Sequence, residues 1–148
     1  MELGLKNKVA VVGASSKGLG RAIAHGLAEE GATVVVCARN AEPLEVTAAE
    51  IRKNTSSEVM SIPADVSNPH DVENLVQASI EHFGGIDILV NNAGGPRAGR
   101  FDDLDVTDYQ DAVNLNLMST IILTRAVVPS MRARGGGRPA RARGRRPA

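Results

Sequence analysis

Short apolar runs alternate with amphipathic stretches over the first 134 residues of the chain. The run at 32–38 is continuously apolar instead of alternating with polar residues. A continuous run is typical of a parallel strand that is covered on both faces. The pattern predicts strands at 9–12, 32–38, 59–62 and 86–90, each followed by a helix, at 19–30, 43–54, 69–83 and 107–132.

Residues with strong positional preferences mark the ends of these helices. Pro43 suits a first helical turn, and Ser67 or Asn68 can cap the third helix. Thr107 can cap the last helix, which Pro129 is expected to kink near its end. Four strands that alternate with four helices indicate right-handed βαβ units. We therefore predict an α/β fold with a Rossmann-like doubly wound parallel sheet.

The charge of the chain is distributed unevenly. Seven of the 17 basic residues and none of the 17 acidic ones lie in 132–148. From residue 135 onward the chain contains only Gly, Arg, Pro and Ala, and it has no large apolar side chain. We predict a partial domain at 1–134 and a disordered tail at 135–148 that forms no strand. GC-rich DNA read out of frame would encode such a composition, so we interpret the tail as a frameshifted, truncated end.

Composition argues against several other classes of protein. Cys37 is the only cysteine, so no disulfide can form within the chain, which favours the cytoplasm. The spacing of His25, His70 and His82 does not suit a metal site, and none is expected. No apolar run reaches the length that crosses a bilayer, so no membrane partner is expected. Clustered arginines attract polyanions without sequence preference, so no specific nucleic acid is expected either.

A glycine-rich turn, Gly-Ala-Ser-Ser-Lys-Gly-Leu-Gly at 13–20, joins the first predicted strand to the first predicted helix. Glycines let a backbone approach a pyrophosphate closely, and the amides and dipole of a helix N-terminus attract its charge. A preceding strand and a following amphipathic helix are the setting that this motif requires. The turn therefore predicts a dinucleotide-phosphate site, with a merely structural turn as the alternative.

Four segments of the chain resemble the short-chain dehydrogenase/reductase family. They are VVGASSKGLGRAIA, Ala64-Asp65-Val66, the Asn-Asn-Ala-Gly at 91–94, and the helix around Asn116 with its later proline. The resemblance covers residues 6–138. It departs in the glycine motif, where Ala14 replaces the first glycine of the family and Gly13 its threonine, which is a small change for phosphate binding.

The resemblance implies a nicotinamide cofactor at the carboxyl ends of the strands. Ala38 stands where an acidic residue would bind a ribose 2′-hydroxyl, and the cations Arg39 and Lys17 can converge on a 2′-phosphate. NADP is therefore expected, and NAD is less favoured. Asp65 matches the family carboxylate that accepts a hydrogen bond from the adenine amino group, with a helix-start carboxylate as the alternative. The residues expected to bind the cofactor are Gly13, Ala14, Ser15, Ser16, Lys17, Gly18, Leu19, Gly20, Arg39, Asp65, Val66, Asn91, Ala93 and Gly94.

The same resemblance implies hydride transfer between NADPH and a ketone, a secondary alcohol or a 3-oxoacyl substrate. Asn116 matches the family asparagine that positions a water in the proton relay, and Asn114 is its rival. The family also uses a Ser, a Tyr and a Lys four residues after that Tyr. Here the last lysine is Lys53 and the only tyrosine is Tyr109, so no such pair exists. We expect the chain as it stands to be an inactive oxidoreductase fragment.

A non-catalytic module that binds NADP or pairs with another subunit is the second interpretation. Without later strands, the fourth strand would be a sheet edge with unpaired N–H and C=O groups. The long helix would then lack partners for its apolar side chains, which are Leu115, Ile121, Ile122 and Leu123. We therefore expect low stability and self-association, and a small carbonyl or alcohol substrate only in a full-length relative.

Overall fold

The computed structural model describes residues 3–136 and 138–141, and its centre is a five-stranded parallel sheet. The strands are β1 Val9–Val12, β2 Thr33–Ala38, β3 Val59–Pro63, β4 Ile88–Asn91 and β5 Arg138–Arg141. Their order across the sheet is β3-β2-β1-β4-β5. The strand order reverses its direction at β1, and ligands of doubly wound sheets bind at such a switch point, beyond the carboxyl ends of the strands.

Helices connect the strands in the expected alternation. They are α1 Gly18–Glu29, α2 Ala41–Asn54, α3 Pro69–Phe83, α4 Val106–Val113 and α5 Ser119–Ala133. A π-helical segment, Asn114–Met118, joins α4 to α5, so that Val106–Ala133 is one continuous helix. The predicted elements at 9–132 are confirmed to within about three residues at their ends, which is the usual uncertainty of element boundaries.

The two faces of the sheet carry separate hydrophobic clusters. On one face, Val34 and Val36 pack with side chains of α1 and α2, among them Ala24, Leu44 and Ile51. The cluster on the other face joins β1, β2 and β4 to α3 and α5 through Val11, Val35, Leu75, Leu89, Leu123 and Val127. Alternate residues of β2 therefore point to different clusters, which is why its sequence is continuously apolar. The predicted Rossmann-like doubly wound sheet is confirmed.

Side-chain caps fix the starts of α3 and α4. Asn68, not Ser67, caps α3, because its side chain accepts hydrogen bonds from the backbone N–H groups of the first turn. The cap of α4 is Asp105, so the expectation of Thr107 is wrong. Asp105 and Asp108 form a reciprocal capping box, each side chain accepting the backbone N–H of the other. This pair satisfies two amides, whereas a lone threonine satisfies one.

The fifth strand corrects the expectation that nothing after residue 135 forms a strand. β5 runs parallel to β4, with Ile88 opposite Arg138 and Asn91 opposite Arg141. The expectation considered only side chains that could fill a core, whereas backbone groups make a ladder. β5 lies at the edge of the sheet, where proline and charged side chains are tolerated. β4 is consequently not an edge. Residues 137 and 142–148 of the predicted tail lie outside the described residues, and the domain division at 134 stays a prediction.

The continuous helix Val106–Ala133 is long and apolar enough to span a membrane by length and composition, contrary to the expectation from the sequence. These two properties do not distinguish a membrane helix from the core helix of a sheet. One face of this helix is buried against β4 and α3, through Leu123, Val127 and Met131. Leu123 thus has partners, although it was expected to lack them.

Candidate cofactor site

The carboxyl ends of the strands open into a cleft of about 340 Å³. The turn between β1 and α1 forms one wall, the segment after β4 another, and the ends of β2 and β3 the remainder. Its volume is in the range of small-molecule sites. Ten of the fourteen residues predicted to bind a cofactor line it: Ala14, Ser16, Lys17, Gly18, Leu19, Arg39, Asp65, Val66, Ala93 and Gly94.

Side chains from other elements hold the carbonyl groups of the glycine-rich turn. The Asn92 Nδ2 donates to the carbonyl oxygen of Gly13 at 3.0 Å and to that of Ala14 at 3.3 Å. Thr47 of α2 donates its hydroxyl to the carbonyl oxygen of Ser16 at 3.0 Å. Sequence reasoning missed both Asn92 and Thr47 as residues of the site. The second Asn of the Asn-Asn pair was the available signal for Asn92, and none existed for Thr47.

The N-terminus of α1 has no cap from a side chain. Its N-cap residue Lys17 makes no capping hydrogen bond, and no acidic residue occupies the first turn. The helices α3 and α4, by contrast, both begin with a side chain that accepts first-turn amides, and α2, which also lacks a side-chain cap, has Glu42 in its first turn. The first amides of a helix carry a partial positive charge and need acceptors. The α1 terminus therefore offers a site for an anion at the wall of the cleft.

Two glycines allow the turn to pack this closely. A Cβ atom on Gly13 would lie 2.4 Å from the carbonyl oxygen of Asn92. A Cβ atom on Gly20 would lie 2.4 Å from the carbonyl oxygen of Ala14. Neither distance is possible for real atoms. A side chain at Gly13 would push the turn away from the segment after β4, and one at Gly20 would push α1 away from the turn. These two glycines shape the site without lining it.

Ala14 adopts a left-handed backbone conformation, with φ of +45°. This conformation costs an L-residue with a Cβ atom about 1–2 kcal/mol, whereas glycine adopts it freely. The family resemblance places a glycine at this position, and the observed φ gives the physical reason. The replacement by alanine, expected from the sequence to be a small change, is a source of strain at the wall of the cleft.

The side chain of Ser15 faces the sheet, although it was predicted to bind the cofactor. Its hydroxyl lies 2.9 Å from the carbonyl oxygen of Val12 and 3.2 Å from that of Cys37, and it accepts the Cys37 N–H at 2.9 Å. The residue is fully buried. Its single donor hydrogen has acceptors within the protein, so the hydroxyl has no hydrogen left to donate to a phosphate.

Asp65 and two cations lie around the part of the cleft next to β2 and β3. The Asp65 Oδ1 accepts both the hydroxyl of Ser67, at 2.6 Å, and its N–H, at 2.9 Å. The Ser67 hydroxyl, together with this N–H and the charge of Arg39, holds the pKa of Asp65 below its usual range despite partial burial. Lys17 and Arg39 are exposed, and neither forms an ion pair with another side chain in the described part of the chain.

Asn91 lies behind the cleft. It ends β4, is buried, and donates from its Nδ2 to the hydroxyl of Thr124 on α5 at 3.1 Å. Its Oδ1 has no hydrogen-bond partner among residues 3–136. The contact ties β4 to the long helix. Of the Asn-Asn-Ala-Gly motif, Asn92, Ala93 and Gly94 reach the cleft and Asn91 does not.

Asn116 belongs to the π-helical segment and is half-buried. Its Nδ2 donates to the carbonyl oxygen of Ala112 at 3.0 Å, and its own carbonyl oxygen accepts the hydroxyl of Thr120 at 3.0 Å. Wide turns of this kind occur frequently at functional sites. Leu115 lines the cleft and Asn116 does not, while the rival Asn114 is exposed. Asn116 is thus the neighbour in sequence of a residue that lines the cleft.

The remaining reactive side chains lie outside the site. Tyr109 is exposed on α4, where its ring centroid lies 6.3 Å from that of Phe101. Burial raises the pKa of the Cys37 thiol to about 12, so it is not a nucleophile near neutral pH. Within the described residues, no group of three or more His, Cys, Asp or Glu side chains could hold a metal ion.

A family model confirms what the motifs indicated. The model of the short chain dehydrogenase family matches residues 8–139, and the chain belongs to this family. The match includes the first two residues of β5, so the first residues of the predicted tail fall within it.

Several proteins of this family are similar to the chain. An uncharacterized oxidoreductase of Staphylococcus aureus (strain USA300) is 35% identical over 133 residues, which are 90% of this chain and 56% of that protein. Dehydrogenase/reductase SDR family member 4 of Sus scrofa is 40% identical over 134 residues, which are 90% of this chain and 48% of that protein. The chain thus spans about half the length of the curated relatives that it matches.

Solved structures give the same result. The L-sorbose reductase of Gluconobacter frateurii, complexed with NADPH and L-sorbose, superposes with a TM-score of 0.90 at 38% identity, over 95% of this chain and 54% of that one. The hydroxysteroid dehydrogenase of Escherichia coli superposes with a TM-score of 0.87 at 32% identity, over 93% of this chain and 55% of that one.

Proposed function

We propose that this chain is the NADP-binding half of a short-chain dehydrogenase/reductase, an oxidoreductase that transfers hydride between NADPH and a ketone, secondary alcohol or 3-oxoacyl substrate. The observation that carries the proposal is the uncapped N-terminus of α1 at the wall of the cleft. A dinucleotide pyrophosphate is the anion that such a terminus binds in Rossmann-like folds. The single buried cysteine agrees with a cytoplasmic location, which is part of the proposal.

The preference for NADP over NAD rests on Lys17 and Arg39. Both line the cleft, and neither is engaged by a carboxylate within 4.0 Å in the described part of the chain. Ala38, at the end of β2, offers no acidic group that would repel a 2′-phosphate. The L-sorbose reductase complexed with NADPH supports the same choice, since it is 38% identical to this chain.

Calorimetric titration of the purified chain with NADP⁺ and with NAD⁺ tests this preference. We expect NADP⁺ to bind at least about tenfold more tightly, equivalent to about 1.4 kcal/mol. Arg39→Asp should remove the difference, because an acidic side chain repels the 2′-phosphate and suits a 2′-hydroxyl. Arg125→Asp makes the same change of charge on the exposed surface of α5 and should leave both affinities unchanged. Equal affinities in the parent chain would show that the 2′-phosphate is not recognised.

For the 148-residue chain by itself, we propose cofactor binding without turnover. The proton donor of the family is a Tyr with a Lys four residues later, and this pair does not occur in the sequence. Asn116 is the member of the family's proton relay that the chain does contain, so its role belongs to an enzyme that supplies the other groups. Oxidation of NADPH by the chain with a small ketone, lost on Asn116→Ala, would contradict the proposal.

An apolar stripe that runs from α4 through the π-helical segment to the start of α5 favours pairing of two copies as a second function. Large apolar side chains recur there at helical spacing and are 40–73% exposed, namely Val106, Tyr109, Val113, Leu117 and Ile121. Contiguous exposed apolar surface marks interaction sites. Since β4 is covered by β5, the helix is the better candidate for self-association than the sheet edge predicted from the sequence.

Sedimentation velocity over a range of concentrations tests this pairing. Leu117→Glu should shift the chain to the monomer, because it places a charge in the middle of the stripe. Thr107→Glu adds the same charge to the same helix, one residue from Val106 and off the stripe, and should leave the sedimentation coefficient unchanged. A monomeric parent chain at all concentrations would rule out the pairing.

A further inference from the structure

Ser15 continues the ladder between β1 and β2 with its side chain. The last paired residues of these strands are Val12 and Val36, after which the backbone of β1 leaves the sheet. The N–H of Cys37, the next residue of β2, is accepted by the Ser15 hydroxyl at 2.9 Å. The Ser15 N–H in turn donates to the carbonyl oxygen of Cys37 at 2.9 Å. One serine thus supplies both a donor and an acceptor to β2 beyond the end of β1.

The hydroxyl also binds back to the strand that it follows. It lies 2.9 Å from the carbonyl oxygen of Val12, three residues earlier, so its hydrogen can close the turn over the two intervening residues. Ala14 is one of these two. Its backbone is left-handed, which is unfavourable for a residue with a Cβ atom. The strained residue is therefore bracketed by Ser15 on one side and by the pairing of the Gly13 N–H with Val90 on the other.

Strain of this kind persists only where the surroundings determine the backbone more strongly than the residue resists. Asn92 holds the Ala14 carbonyl oxygen at 3.3 Å, a long contact, whereas the Ser15 contacts to Val12 and Cys37 include two of 2.9 Å and are buried. Buried hydrogen bonds resist opening because a broken one leaves polar groups without water.

We propose that Ser15 is a positioning residue of the cofactor site: its hydroxyl holds Ala14 in the left-handed conformation and so aims the amides at the start of α1 into the cleft. The inference rests on the proposed binding of NADP. It adds Ser15 as a residue that affects the site by fixing the backbone of Ala14. The role of the Ser15 hydroxyl depends on the residue at position 14. The hydroxyl is needed because this residue is an alanine, and a glycine there would make the hydroxyl largely dispensable.

A double-mutant cycle of Ser15→Ala and Ala14→Gly tests this coupling, with two measurements on each variant: the dissociation constant for NADPH and the urea midpoint of unfolding. In the parent background, Ser15→Ala should weaken NADPH binding about tenfold and lower the midpoint. In the Ala14→Gly background, the same change should weaken binding less than about threefold.

Ser79→Ala is the matched control, because Ser79 is equally buried and its hydroxyl donates to Leu75 within α3. It should lower the midpoint without changing NADPH affinity.

The outcomes separate this inference from the proposed function. Equal effects of Ser15→Ala on binding in both backgrounds, or no effect on binding in either, would overturn the positioning role. If the parent chain binds no NADPH, the proposed function fails, and the coupling of the two urea midpoints decides the inference alone. Should Ser15→Ala not fold, Ser15→Cys replaces it, since a thiol is a weak donor of similar shape.

Discussion

At the amino end of the sheet a buried charge is fully paired, whereas at the carboxyl end several polar groups lack partners within the described chain. Asp87 precedes β4 and accepts the N–H of Val9 at 2.9 Å and two hydrogen bonds from Arg134, at 2.8 and 3.2 Å. Lys8 lies 3.7 Å from the same carboxylate. At the opposite end, the α1 amides have no cap from a side chain, and the cations Lys17 and Arg39 face the cleft.

The difference agrees with the proposed function, in which the amino end holds the fold together and the carboxyl end binds the cofactor. Partners within the chain satisfy groups whose role is to hold the fold, and a charge left buried without a partner is strongly destabilising. Groups that await a ligand are instead left without partners, and the remaining structure must hold them in place. Changes at the amino end should therefore alter stability, and changes at the carboxyl end should alter binding.

The largest effect is expected from Asp87→Ala. The substitution leaves Arg134 and the Val9 N–H without their acceptor at a site where Asp87 is only 6% exposed, so it should lower the free energy of unfolding by about 3 kcal/mol. Urea denaturation measures this. Asp102→Ala removes an exposed carboxylate in the segment that follows β4 and should change stability by less than about 0.5 kcal/mol. Similar losses in both variants would erase the contrast between the two ends.

Gly20→Ala should come next, at about 2 kcal/mol, because its Cβ atom would meet the carbonyl oxygen of Ala14 at 2.4 Å. The added methyl group would push α1 away from the turn that precedes it, so NADPH affinity should also fall by more than about tenfold. Gly26→Ala in the same helix has open space for the Cβ atom and should stabilise the chain by about 0.5–1 kcal/mol with unchanged affinity. A Gly20→Ala variant that binds NADPH normally would show that this close packing is not required.

A smaller loss, about 1 kcal/mol, is expected for Arg134→Lys. Lysine keeps the charge but cannot donate two hydrogen bonds in the fork geometry that Arg134 presents to Asp87. Arg39→Lys at the cleft should change stability by less than about 0.5 kcal/mol, because Arg39 has no carboxylate partner within 4.0 Å in the described residues. Thermal denaturation of both variants measures whether the arginine-to-lysine change costs more stability at the amino end than at the carboxyl end.

The smallest of the four effects is expected in the pH dependence of stability, to which Asp87 at the amino end should contribute. Burial alone would raise the pKa of Asp87, but the hydrogen bonds from Arg134 and Val9 and the charges of Arg134 and Lys8 lower it on balance. A lowered pKa in the folded state means stability that is complete above the unfolded pKa, about 3.9, and is lost as the pH falls below it. Asp87→Asn should make the urea midpoint less dependent on pH between about 2 and 4. An unchanged slope would show that the carboxylate does not carry this dependence.

Local patterns were enough to predict most of the fold and part of the site. The continuous apolar run at 32–38 indicated a strand covered on both faces, and the glycine-rich turn indicated an anion site at the start of α1. The motifs around Asp65 and Asn91 pointed to the end of the sheet where the cleft lies. β5 was missed because its side chains carry no apolar pattern and its pairing with β4 is made by the backbone. The cap of α4 was missed because Asp105 and Asp108 act only as a pair.

By itself, the sequence determined the order and type of the elements, the parallel sheet, the family and the end of the sheet that holds the cleft. These follow from periodicity and from residues such as glycine whose preferences are local. Only the tertiary structure decided that Ser15 faces the sheet, that Ala14 is left-handed, and that Asp87 pairs with Arg134, 47 residues away. Each of these depends on which distant atoms lie within hydrogen-bonding distance, and the spacing of residues along a chain does not specify that distance.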